Sequence, residues 1–296
     1  MISTLSISQR CNGNVIEKSY FCQHMDNKNS ILLIDPNFDP ATAKDYTLLV
    51  KVGAKSFSYA IINKENKKVI AVFDEQECED GAIKFAERLK TDSYLTLLYR
   101  EVKVAVHTEN SIAIPAELYN EDLLSANTQF FNGSVNDNLY VNQQAHFGFN
   151  TIFAFPKNTD QTINFTEGTK YTENAGLLAL AEKLNETALI LDFAVNTVNV
   201  IYLNDEKIAF QHGYEIDHIY EFNYYLLLMI NQLTIKSSTK IYLAGIVHEN
   251  DEKYNCLLKY FNQPEFLSVG NALDQQIVDD MPAHYYTSLL ALNLCE

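Results

Sequence analysis

A segment near position 50 recurs near position 190, and this repeat restricts the fold more than any other feature of the chain. Leu48-Leu49-Val50-Lys51-Val52-Gly53-Ala54-Lys55-Ser56-Phe57-Ser58 can be laid over Leu189-Ile190-Leu191-Asp192-Phe193-Ala194-Val195-Asn196-Thr197-Val198-Asn199. Lys51 then stands over Asp192, Gly53 over Ala194 and Ser56 over Thr197. Further on, Ile62-Asn63 meets Leu203-Asn204. After a second turn two residues shorter, Val69-Ile70-Ala71 meets Ile208-Ala209-Phe210. Each copy reads as strand, tight polar turn, strand, turn, strand, helix, because runs rich in Val, Ile and Phe bounded by polar clusters favour strands. The expectation is an α/β protein of two duplicated lobes, with mixed sheets flanked by helices.

The remaining elements follow from local patterning. Asp80 to Lys90 has helical spacing, as does Thr172 to Leu184. Pro115 suits the first turn of a helix running to about Ala126, and Pro282 opens a last one. Asp217 reads as the N-cap of a long helix to Thr234, with Ile219, Phe222, Leu226, Ile230 and Leu233 as its buried stripe. Tyr220, Tyr224 and Tyr225 lie beyond that stripe. They fit a central helix buried on several sides better than a docking face for a partner. Residues 1–44 read as a polar, irregular extension with turn signals at Asn12-Gly13 and Asp35-Pro36, and with one strand at Ile31–Ile34. The division between lobes is expected at 165/166, giving 1–165 and 166–296.

Charge narrows the function. The formal net charge of −16 repels phosphate backbones and anionic membranes, so neither is an expected partner. The start of the chain lacks the basic end and apolar core of a signal peptide. No apolar run is long enough to span a bilayer. Five cysteines without CxxC pairs read as free thiols in a reducing cytoplasm. The scattered histidines, with His212 and His218 not at helical i,i+4 spacing, give no zinc site. Asp74 to Asp80 lacks the alternating ligands of a calcium loop and reads as a solvated segment ahead of a helix.

The duplicated meander is how the actin-like ATPases build each RNase-H-like lobe. The chain resembles an uncharacterised bacterial family of that fold, akin to its cell-division and pilus-assembly scaffolds. The likeness runs from about Tyr46 to Glu296. It rests on the first meander, Ser111–Leu118, Asp217–Tyr225 and the Cys295-Glu296 ending. It implies ATP held between the lobes by two Asp-x-Gly-type turns and a Gly-Gly pair. Glycine lets backbone approach phosphate, turn N–H groups form an anion nest, and the acid holds Mg²⁺.

Each motif is present in place and degraded. The first keeps Gly53 and Ser56 but has Lys51 where the acid belongs. The second keeps Asp192 and Thr197 but has Ala194 for Gly. The third keeps only Gly245. Gly53, Ser56, Asp192, Thr197 and Gly245 are therefore the residues of a vestigial nucleotide cleft, with no catalytic or metal-ligating residue expected. Lys51 is expected to reach solvent and Asp192 to cap the N–H groups of its own turn. The resemblance implies a non-catalytic scaffold or adaptor without cofactor, its partner another protein or a second copy as a homodimer. The alternative is an ATP- and Mg²⁺-binding switch.

Overall fold

The computed structural model describes residues 3–11, 14–22, 30–131, 138–164 and 167–296. In chain order, β1 (Ser3–Cys11), β2 (Asn14–Cys22) and β3 (Ser30–Ile34) precede the first meander, β4 (Thr47–Val52), β5 (Phe57–Asn63) and β6 (Lys68–Glu75). Helix α1 (Gly81–Thr91) and β7 (Glu101–Val106) follow. A further stretch holds β8 (Ser111–Pro115), α2 (Leu124–Asn127), β9 (Tyr140–Gln144), β10 (Phe149–Phe153) and α3 (Lys157–Asn164). Strand β11 (Thr169–Thr172) leads into α4 (Ala175–Ala181). The second meander is β12 (Ala188–Ala194), β13 (Thr197–Asn204) and β14 (Lys207–Glu215). After it come α5 (Ile219–Leu233), β15 (Lys240–Gly245), α6 (Glu252–Leu257), β16 (Glu265–Phe266) and α7 (Thr287–Leu290).

The duplication extends to strand order and register. The first sheet contains β6-β5-β4-β7-β11 and the second β14-β13-β12-β15-β16, so both copies have the order third, second, first, fourth, fifth strand. Lys51 pairs with Ser58 in one meander, and Asp192 pairs with Asn199 in the other. Each second-to-third-strand ladder also shifts register once, between Ile61 and Ile62 and between Tyr202 and Leu203. These positions correspond under the same 141-residue offset that relates Lys51 to Asp192. A bulge at one place in both copies is a designed irregularity, not a chance likeness of two meanders.

Alternation along the strands sets which side chains face which layer. Leu48, Val50 and Val52 pack with Phe85 of α1 and Ile163 of α3. Leu49 faces the opposite way, toward Ala175 and Leu180 of α4 and Leu289 to Leu292 near the C-terminus. In the second sheet Leu189, Leu191 and Phe193 pack with Phe222 and Leu226 of α5, whereas Ala188 and Ile190 meet Leu177, Leu178 and Ala181 of α4. Helix α4 is thus shared between the inner faces of the two sheets, and Lys51 and Asp192 fall on those inner faces.

Several sequence expectations are corrected. Strands β1 and β2 pair antiparallel, from Ser3 with Cys22 to Cys11 with Asn14, where an irregular extension was expected, and β2 joins the first sheet through β3. The alternation Thr4-Leu5-Ser6-Ile7-Ser8 has the strand period, obscured by its polarity. Pro115 ends β8 instead of opening a helix. Two short 3₁₀ turns and the brief α2 follow it. Asp80, expected inside α1, is its cap, accepting from Ala82 and Ile83 N–H at 2.7 and 3.0 Å. The cap of α5 is His218, not Asp217; Glu221 reaches back to the N–H groups of both. That helix is buried on one side only, through Phe222, Leu226 and Met229, while Tyr220 is 82% and Tyr224 62% exposed. Strand β11 pairs in parallel with β7, so the first sheet extends to Thr172. The Asn12-Gly13 turn and the 165/166 division lie outside the described residues. Among the described residues no helix is long and apolar enough to cross a membrane.

Candidate functional site

The two equivalent turns of the meanders converge between the sheets. In the first, Gly53 N–H donates to Ser56 C=O at 2.9 Å, and Gly81 N–H at the start of α1 donates to Ala54 C=O at 3.0 Å. A Cβ on Gly53 would lie 2.4 Å from the Ser56 hydroxyl. In the second, Asn196 takes a left-handed φ of 58°. Gly245, at the end of β15, has φ 75°, and a Cβ there would lie 2.0 Å from the Phe193 carbonyl and 2.7 Å from the Asp192 carboxylate. Glycine is required at 245 on both counts, conformation and space.

The central contact is an ion pair. Lys51 Nζ donates to Asp192 Oδ2 at 2.9 Å and to Ser288 Oγ at 2.7 Å, and lies 3.9 Å from Glu173 Oε1. This corrects both sequence expectations, since Lys51 is buried rather than solvated and Asp192 takes the lysine rather than its own turn. The opposed inner faces leave each charge no nearer counter-ion, and burial makes pairing obligatory. Glu173 Oε2 continues the network to His107 Nδ1 at 3.0 Å, and Asn199 also hydrogen-bonds to Glu173.

Electrostatics follow from these contacts. Burial alone would lower the Lys51 pKa, but the carboxylates of Asp192 and Glu173 outweigh it and hold it above the usual lysine value. Glu173 is depressed despite burial, because His107 donates to it and Lys51 stands beside it. The hydrogen bond to Glu173 raises His107 against the effect of burial. Asp74, at the far end of β6, is pushed up to about 6 by burial, only partly offset by Gln76 and Lys51.

Two cavities flank this network. The smaller, about 120 Å³, is lined by Lys51, Ser56, Asp192, Ala194 and Gly245 together with Ser288 and Tyr286 of the C-terminal segment. The larger, about 580 Å³, is lined by Thr197, His107, Glu173, Asn199 and β14 residues Gln211 to Glu215. Three of the five expected cleft residues, Ser56, Asp192 and Gly245, therefore share the smaller cavity. Gly53 sits at its turn beside Glu173, and Thr197 opens onto the larger cavity. Glu173, His107 and Ser288 escaped the sequence reading. They come from the ends of β7 and β11 and from α7, and nothing in their local pattern marks them. Among the described residues no cluster of three or more His, Cys, Asp and Glu is set to hold a metal. Of the acidic run, Glu75 at the end of β6 is engaged structurally, paired to Arg88 at 2.6 Å and to Lys84 at 3.1 Å. The described thiols Cys78, Cys256 and Cys295 are free.

Comparison with known proteins agrees with this architecture. A structure from Bacteroides thetaiotaomicron VPI-5482, of a protein with actin-like ATPase fold and unknown function, matches with a TM-score of 0.69 at 19% identity, covering 88% of this chain and 99% of that one. A PilM–PilN type IV pilus biogenesis complex matches with a TM-score of 0.61 at 13% identity, covering 84% and 98%. An AlfA filament bound to AMPPNP matches at 0.42 and 16%, covering 83% and 95%. No curated protein matches the chain. The fold is that of the actin-like ATPases. The profile of a family described as Protein of unknown function (DUF3822) matches residues 35–263, and the chain belongs to that family.

Proposed function

We propose that the chain is a non-catalytic scaffold or adaptor, an actin-like fold retained for its shape and surfaces. The observation that carries this reading is the Lys51–Asp192 ion pair. A working cleft places a divalent cation and phosphates between two acid-bearing turns. Here an ammonium stands against the surviving acid, where it would repel Mg²⁺. The residues do not fit Mg-ATP in two further respects. Ala194 adds a methyl where backbone must approach phosphate. The cavity of about 120 Å³ is also well below the roughly 300–1,000 Å³ of small-molecule sites. In place of ligand-bridged lobes, an internal ion pair joins the two sheets.

In this reading the lobes divide around α4, near the expected 165/166 boundary, and the protein works in the cytoplasm. Its partner is another protein or a second copy of the chain. The exposed Tyr220 and Tyr224 of α5 are the surface proposed for it, because aromatic residues recur in interfaces. The PilM–PilN complex shows a protein of this fold bound to a partner. The opposing reading, an ATP switch, draws on the retained Gly53, Ser56, Asp192, Thr197 and Gly245. Isothermal titration with ATP and Mg²⁺, with phosphate release followed on the same sample, separates the two. The expected result is no binding tighter than about 10 μM, roughly −7 kcal/mol, and no release of phosphate. Tighter binding abolished by Asp192→Ala would overturn the scaffold reading.

A further inference from the structure

The duplication leaves one strand edge bare. In the first meander β6 is buried along nearly all its length, with β5 on one side and β3 on the other. Strand β3 pairs antiparallel with it, from Ser30 with Glu75 to Ile34 with Ala71. In the second meander the equivalent strand, β14, is the outermost of its sheet and is half-buried or exposed throughout. Ala71 pairs with Ile61 and Phe210 with Tyr202, so Phe210 to Tyr214 are the counterparts of Ala71 to Glu75. Among the described residues no strand pairs with that outer edge.

Unpaired N–H and C=O groups in a row are a template for another strand, and many chains blunt such an edge with Lys or Pro. Phe210-Gln211-His212-Gly213-Tyr214 contains neither. The bulge of β14 lies before this stretch, and the matching bulge in β6 does not keep β3 from pairing just beyond it.

The stretch also suits a copy of itself. Antiparallel pairing about His212 sets Phe210 opposite Tyr214 of the other copy, an aromatic pair of the kind that stabilises cross-strand contacts. It brings the exposed Lys207 of one strand toward the exposed Glu215 and Asp217 of the other. The acidic turn Asp205-Glu206 falls at the end where the other copy's α5 begins, and a helix N-terminus favours negative charge. Opposite charges therefore meet at both ends of the pair. The edge is continuous with the exposed aromatic residues of α5, since Tyr214 stacks on Tyr225 at 4.4 Å and Tyr225 meets Tyr224 at 5.5 Å. Strand pairing alone covers less surface than a stable dimer needs, and these rings supply the rest.

We propose that β14 is a homodimer interface, in which Phe210–Tyr214 pairs antiparallel with the same strand of a second copy to join the two second sheets into one. It rests on the scaffold reading for a protein as partner and names that partner as a second copy.

The test is sedimentation velocity of the full chain over a range of concentrations, with variants of the exposed His212. A concentration-dependent dimer is expected for wild type. His212→Lys sets like charges against each other at the centre and should weaken the dimer at least ~10-fold. His212→Cys brings two thiols across a strand pair with Cα atoms about 4.5–5.5 Å apart, within disulfide reach. Mild oxidation should then give a covalent dimer that dithiothreitol releases. Lys207→Cys, roughly 30 Å from its copy at strand spacing, should give no more crosslinking than wild type. Thermal melts verify that each variant folds. A wild-type monomer at every concentration would overturn the proposal, as would a dimer that His212→Lys leaves unchanged or equal crosslinking through both cysteines. A monomer that binds no ATP removes the interface and leaves the scaffold, whereas a dimer that binds ATP tightly with Mg²⁺ removes the scaffold and leaves the interface.

Discussion

The two meanders match in strand order, in register and in the place of their bulge, yet differ in charge at one inward position. The first carries Lys51 and the second Asp192. In a duplicated fold, equivalent inward positions face each other across the layer between the sheets. Two acids there would repel and call for a metal. One acid and one lysine satisfy each other directly. With Lys51 opposite Asp192, the chain itself supplies the bridge between the two sheets.

The sharpest way to break this comparison is Lys51→Ala. Removing the cation leaves Asp192 and Glu173 buried without it, and a loss of about 3–5 kcal/mol is expected in denaturant unfolding. The double variant Lys51→Met with Asp192→Leu removes both charges of the pair and should lose less than the single one. A single-variant loss under about 1 kcal/mol would mean the pair does not hold the sheets together.

Smaller effects separate the first turn from the glycine that ends β15. Gly245→Ala forces a methyl onto the Phe193 carbonyl at positive φ and should cost about 3 kcal/mol. Gly53→Ala meets mainly the movable Ser56 hydroxyl, and Ala194 already occupies the equivalent place in the other copy. A loss of no more than about 1 kcal/mol is expected there. Equal losses at the two glycines would contradict the asymmetry drawn between them.

The smallest effect is a pH dependence on the His107 side of the network. Folding raises the His107 pKa, so its contribution is fully present below the unfolded value of about 6.5 and fades as pH rises through the higher folded value. His107 is 40% exposed, which screens the pair and limits the term to about 1 kcal/mol or less. Comparing unfolding midpoints from pH 6 to 9 should show a decline in wild type that His107→Gln flattens. The same slope in both proteins would remove His107 from the network.

Much of the fold was legible because strand periodicity and turn chemistry are local. The meanders, α1 and the long α5 follow from patterns a few residues wide. The N-terminal hairpin escaped because its alternation is polar, and β11 because four residues, Thr169–Thr172, carry too short a period to register beside the helix that follows. Of the site, the places of Gly53, Ser56, Asp192 and Gly245 came from the repeat and the resemblance it supports. The role of Lys51 did not, because a lysine at a strand end ordinarily reaches water.

The sequence by itself determined the duplication, the alternation that turns Lys51 and Asp192 to particular faces of their strands, and the pairing of Lys51 with Asp192 and of Gly53 with Ala194 in equivalent turns. Only the tertiary structure decided that those faces oppose each other, that Ser288 and Glu173 complete the lysine's contacts, and that a smaller and a larger cavity flank the network. The physical reason is range. Backbone sterics and side-chain periodicity act over a few residues, whereas the pairing of buried charges 141 positions apart depends on which layers pack together.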